Sequence, residues 1–75
     1  RAGRFEEALE PAKRYAQATE NDWVAHQNLA VIYHELRMAE MRDASQDRAL
    51  AVSTGENREA LLAFFERLRA EQVAS

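Results

Sequence analysis

The stretch from Asp22 to Leu36, DWVAHQNLAVIYHEL, constrains the fold of this chain more than any other. Asn21 and Asp22 each carry a short side-chain oxygen that can accept a bond from the free N–H groups of a first helical turn, so one of them is the expected N-cap. From there Leu29, Ala30, Tyr33 and Leu36 recur at the helical period, and His26 extends the same stripe backward. Val24, Val31 and Ile32 widen the apolar surface beyond what one neighbour needs. The spacing therefore predicts a helix held between two others.

The segment before it, RAGRFEEALEPAKRYAQATE, places Phe5, Ala8, Leu9, Ala12, Tyr15 and Ala16 at intervals of three and four, which predicts an amphipathic helix from Arg4 to Thr19. Gly3 stands before it as a turn residue closing an earlier element. Pro11 deletes the bond to the Glu7 carbonyl, so either a kinked helix passes through it or a shorter helix starts near Glu10 with Pro11 in its first turn. Toward the other end, Ser53 to Asn57, STGEN, has turn composition, with Gly55 as a stop and Asn57 as a cap. A last helix is expected from Arg58 to Val73, with Leu61, Phe64, Phe65 and Leu68 on one stripe.

Seventy-five residues make at most one domain of modest stability, and two glycines and one proline among many alanines favour an all-α chain. The net charge of −3 is spread without a basic block, which argues against a nucleic-acid partner. There is no cysteine, so disulfides and thiolate metal sites are excluded while the compartment stays open; no targeting signal is visible, and the cytoplasm is the default expectation. No apolar run approaches the roughly 20 residues that span a bilayer. The chain opens on Arg1, in the middle of a pattern, and is expected to be a piece of something longer.

Gly3-x-Phe5-x-x-Ala8-Leu9, followed twenty residues after Leu9 by Leu29-Ala30-x-x-Tyr33, resembles the tetratricopeptide repeat, whose unit of about 34 residues forms two antiparallel helices. Leu61, Phe64, Phe65 and Leu68 repeat His26, Leu29, Ala30 and Tyr33 at a spacing of 35. His26 stands where the family has a large aromatic residue, Ala30 replaces its glycine and Glu20 its proline. The resemblance implies four antiparallel helices stacked as a short right-handed solenoid: residues 1–21 as the second helix of an incomplete repeat, 22–56 as a full repeat and 57–75 as a cap. Phe65 stands where two backbones must approach closely, so no ordinary partner helix is expected to follow it.

Within the full repeat, Met38 to Val52 is expected to be the second helix, after a turn at Arg37 that lacks the family's glycine. The strict repeat count turns Arg42 and Gln46 inward. A one-residue shift turns Met38, Met41, Ser45, Ala49 and Val52 inward, and it is the preferred register because an unpaired buried arginine is costly.

The residues that could carry chemistry have simpler roles. His26 and His34 lie eight apart and lack a third ligand, so they suit no metal; His26 is expected in the core and His34 on the surface. His34 and Glu35 are neighbours that point apart on a helix. Glu6, Glu7, Glu10, Glu56 and Glu59 suit helix N-terminal halves, and Arg67 and Arg69 a C-terminal half. Met38 and Met41 are read as core, though an adaptable binding surface would use the same residue type. Trp23 either packs near Thr19 or anchors a partner.

What the resemblance implies about function is protein or peptide binding without a reaction or a cofactor. The family's groove positions fall on Val24, Gln27, Asn28, Val31, His34 and Glu35 of the central helix and on Glu59, Leu62 and Glu66 of the last. The carboxylate clamp of some chaperone-associated members does not carry over, because Asn28 matches one position but Glu59 stands where a cation is needed. A second expectation is an assembly subunit docked through its first helix, where Phe5, Leu9 and Ala12 form an uncovered strip open to self-association or to a neighbouring subunit. An enzyme, with a closed pocket of convergent polar groups, ranks third.

Overall fold

The computed structural model describes the backbone of residues 2–74 and the side chains of residues 4–71. It is all-helical, with α1 (Ala2–Ala18), α2 (Trp23–Glu35), α3 (Ala39–Val52) and α4 (Gly55–Ala74), and no strand among the described residues. Arg1 and Ser75 lie outside them. α1 begins at Ala2 and runs through Pro11, so Gly3 belongs to the helix instead of preceding it, and the shorter helix from Glu10 does not occur.

Asp22 caps α2 as its side chain allows: Oδ1 accepts from the backbone N–H of Val24 at 3.0 Å. The other end of α2 closes in a Schellman arrangement, with Met38 N–H bonded to Tyr33 O at 2.9 Å and Arg37 N–H to His34 O at 3.0 Å. Arg37 has φ +61° there, so an arginine occupies the left-handed position that glycine takes without strain. Gly55, with φ +57°, fills such a position after α3, and α4 starts at that residue. The break is thus shorter than STGEN suggests, and Asn57 lies in the first turn of α4 and does not cap it.

Two apolar clusters share α2. Ala16 of α1 meets Ala25, Leu29 and Tyr33, with Leu9 and Ala12 packed against them. On the other flank, Ala30 joins Ala49 of α3 and Leu61, Phe65 and Leu68 of α4, with Trp23, Val31, Leu50 and Phe64 at the margin. The wide apolar surface of α2 is used as its sequence suggests, between two neighbours. α2 packs most extensively against α3 and next against α1, α3 packs on α4, and α1 makes no comparable contact with α4. Short connections turn each helix back on the one before, giving a repeat-like stack of helical hairpins.

The preferred register of the third helix is overturned. Met41 is 45% exposed and Met38 is exposed as well, Val52 is half-buried, and Arg42 and Gln46 are buried at 5% and 1% exposure beside Ser45 and Ala49. The cost that argued against this register is an unpaired charge, and Arg42 is paired. Its Nε donates to Asp43 Oδ1 at 3.1 Å and its Nη1 to His34 Nδ1 at 3.2 Å. Gln46 Oε1 accepts from Arg69 Nη2 at 2.7 Å.

The strip on α1 is also covered more than expected. Phe5, Leu9 and Ala12 are half-buried, and α2 supplies the cover for Leu9 and Ala12. Among the described residues of α1, the apolar ones left exposed are Ala8, Pro11, Tyr15 and Ala18, Tyr15 being the large hydrophobic one at 53%. Trp23 is half-buried against the Ala30–Leu61–Phe65 cluster, so the apolar surface it packs on belongs to α2, α3 and α4.

Candidate functional site

Helical geometry gives α2 one open face. Val24, Asn28 and Glu35 are exposed along it, while Gln27, Val31 and His34 are half-buried at its edge. On α4, Glu59, Leu62 and Glu66 are exposed at spacings of three and four, one stripe on the side away from buried Leu61 and Leu68. Ala30 of α2 shares one cluster with Ala49 of α3 and Leu61, Phe65 and Leu68 of α4, and Val31 packs against that cluster. Among the described residues no hydrogen bond or ion pair joins the α2 residues to Glu59, Leu62 or Glu66.

Val24, 41% exposed, and Leu62, 39% exposed, are the large apolar side chains that this pair of faces offers to solvent. Around them stand the carboxylates Glu35, Glu59 and Glu66 and the amides Gln27 and Asn28. Such a surface can bury an apolar side chain of a partner and meet its backbone with amide donors and acceptors.

His34 is not the surface residue its position suggested. Its Nδ1 accepts from Arg42, and the chain of contacts continues from Arg42 to Asp43, from Asp43 to Arg69 at 3.5 Å and from Arg69 to Gln46. Three helices are tied by this network, which sequence reasoning missed. Its signal was the strict repeat count itself, which turns Arg42 and Gln46 inward, together with an acid directly after Arg42.

His26 is buried in the core as expected, and its Nε2 donates to the Glu20 carbonyl at 2.8 Å, tying α2 to the connection that precedes it. A cleft of about 270 Å³ lies between α1 and α3 over α2, lined by Lys13, Ala16, Leu29, Tyr33, Met41 and Arg48 among others. The walls of the cleft are mainly apolar, and the imidazole nitrogen that bonds Glu20 is already used. No group of three or more histidines or carboxylates is placed to hold a metal among the described residues. Among them, too, no helix is long and apolar enough to cross a membrane.

Comparison with known protein families, with curated proteins and with solved structures finds no significant match to this chain.

Proposed function

We propose that this chain is a protein–protein interaction module of tetratricopeptide type, without catalysis, that holds a peptide or partner protein on the open face of α2 and the 59–62–66 stripe of α4. The observation that carries the reading is the pair Val24 and Leu62: two large apolar side chains left in solvent on two helices that share one core, framed by amides and carboxylates. Contacts of this kind gain most of their energy from a few buried apolar anchors, with the polar rim supplying register. The repeat spacing between Leu9 and Leu29, and between His26 and Leu61, supports the family assignment.

A second reading has the chain docked in a larger assembly through α1, and the exposed Tyr15 on that helix favours it. One experiment separates the two. Proteins captured by the wild-type chain are compared with those captured by a Val24→Glu/Leu62→Glu variant and by a Tyr15→Glu variant. The interaction-face reading expects specific capture to be lost in the first variant and kept in the second; the reverse pattern sinks it and supports docking through α1.

A further inference from the structure

We propose that the cleft between α1 and α3 is a binding site for a small monocarboxylate with an apolar body, an aryl or short-chain acid. Its floor is built from His26, Leu29 and Tyr33 at the helical period, on the side of α2 opposite to Val24, Asn28 and Glu35. The inference is therefore independent of what the open face of α2 binds.

Two hydroxyls supply the polar interior. Tyr33 is 3% exposed and Ser45 5%, and among the described residues neither hydroxyl has a hydrogen-bond partner. The side-chain polar atoms that are both unpaired and sealed from solvent, among the described residues, are His26 Nδ1 and Gln46 Nε2. The Tyr33 and Ser45 oxygens are thus unpaired but not sealed, and the open space that these two residues line is the cleft. A hydroxyl shut away from most of the solvent without a partner is costly, so both gain from a ligand oxygen that accepts from them.

The rim adds charge. Lys13 stands on the α1 wall and Arg48 on the α3 wall, three residues from Ser45 and so on the same face of its helix. Lys13 Nζ lies 3.5 Å from Glu10 Oε2 in an exposed pair, and Arg48 has no ion pair or hydrogen bond among the described residues. Glu20 is the one acid among the lining residues, so two cations face one anion. A carboxylate accepts from both hydroxyls and from both cations, and its bonds to the charged donors are the stronger kind. Ala16, Leu29, Met41 and Ala44 form the apolar wall. The volume of about 270 Å³ suits one ring or a short chain, since a cavity of about 150 Å³ takes up benzene and larger ligands need more than about 300 Å³.

The test uses phenylacetate and its neutral isostere phenylacetamide, each titrated into the nitrogen-15-labelled chain and followed by amide shifts. Phenylacetate is expected to cause saturable shifts centred on residues 13–20 and 41–48, and phenylacetamide to bind about tenfold more weakly. Arg48→Ala removes an exposed cation and Tyr33→Phe keeps the ring; each is expected to weaken phenylacetate several-fold and to leave phenylacetamide unchanged, a difference that a merely structural role would not produce. Equal affinity for acid and amide overturns the proposal, as does an absence of saturable binding below about 20 mM, on the order of the weakest affinity a site of this size would show. Shifts centred on Val24 and Leu62 overturn it as well. If Tyr33→Phe fails to fold, the wild-type preference for acid over amide and its loss in Arg48→Ala decide.

Discussion

Arg69 Nη2 donates to Gln46 Oε1 at 2.7 Å, across 23 residues of sequence, and this one bond satisfies half of an amide that is 99% buried. The other half, Gln46 Nε2, is buried with no hydrogen-bond partner among the described residues. A buried amide with an unpaired group costs about 1 to 3 kcal/mol for that group. Arg69→Ala should therefore destabilise the chain by about 1 kcal/mol, because it strips the oxygen too. Gln46→Met removes both problems together, so the Gln46→Met/Arg69→Ala double variant should be more stable than Arg69→Ala alone. Urea midpoints of the variants measure this, and a double variant weaker than Arg69→Ala would show that Gln46 is held by something besides Arg69.

Ala30 and Ala49 are both fully buried where α2, α3 and α4 meet, while Val31 is half-buried beside them. Ala30→Leu should cost about 1 to 3 kcal/mol by overpacking that contact, and Val31→Leu should cost less than about 1 kcal/mol. Equal melting temperatures for the two variants would mean that the packing of α2 is misassigned.

Arg37 stands in the left-handed region with φ +61°. A residue with a Cβ pays about 1 kcal/mol or more for that conformation, and glycine does not. Arg37→Gly is expected to raise the stability of the chain by up to about 1 kcal/mol, seen as a higher urea midpoint with an unchanged slope. Loss of stability would indicate that the arginine side chain contributes more than its backbone conformation costs.

Asp22 holds the start of α2 through Val24 N–H at 3.0 Å and receives a longer contact of 3.4 Å from the Tyr15 hydroxyl. Asp22→Ala should cost about 1 kcal/mol and Asp22→Asn only a few tenths, since asparagine caps as well. Tyr15→Phe should be close to neutral, because the longer contact lies on the surface. If Tyr15→Phe costs as much as Asp22→Ala, the cap works chiefly through the hydroxyl.

The helices were legible in the sequence where apolar residues alone decide the face. Leu29, Ala30 and Tyr33 lie where their period puts them, and the width of the stripe told that α2 has neighbours on both sides. α3 was not legible in this way, because its inward face is built of Arg42, Ser45, Gln46 and Ala49 and its methionines stay outside. Hydrophobicity cannot find such a face; it is made tolerable by partners of Arg42 and Gln46, which include His34, Asp43 and Arg69 on three helices. For the same reason His34 was placed on the surface. Val24, Asn28, Glu35, Glu59, Leu62 and Glu66 were expected on an open surface from the resemblance to the repeat family, and they are exposed, but neither the resemblance nor the helical period says what lands on them.

α1 reaches the rest of the molecule through the flank of α2 that carries Ala25, Leu29 and Tyr33, and it has no share in the cluster that joins α2, α3 and α4. Much of what it contributes there is alanine, which buries little area per residue. The chain therefore has a hinge in energy: α1 can peel away at the cost of one small cluster while the other three helices keep theirs. Amide hydrogens of α1 should exchange with solvent through this partial opening, well ahead of those in α3, whose release needs the whole molecule to unfold. The flank of α2 uncovered by such an event, Leu29 and Tyr33 with Ala25, is hidden in the closed form, so the same opening would expose a new apolar surface without unfolding the remaining three helices.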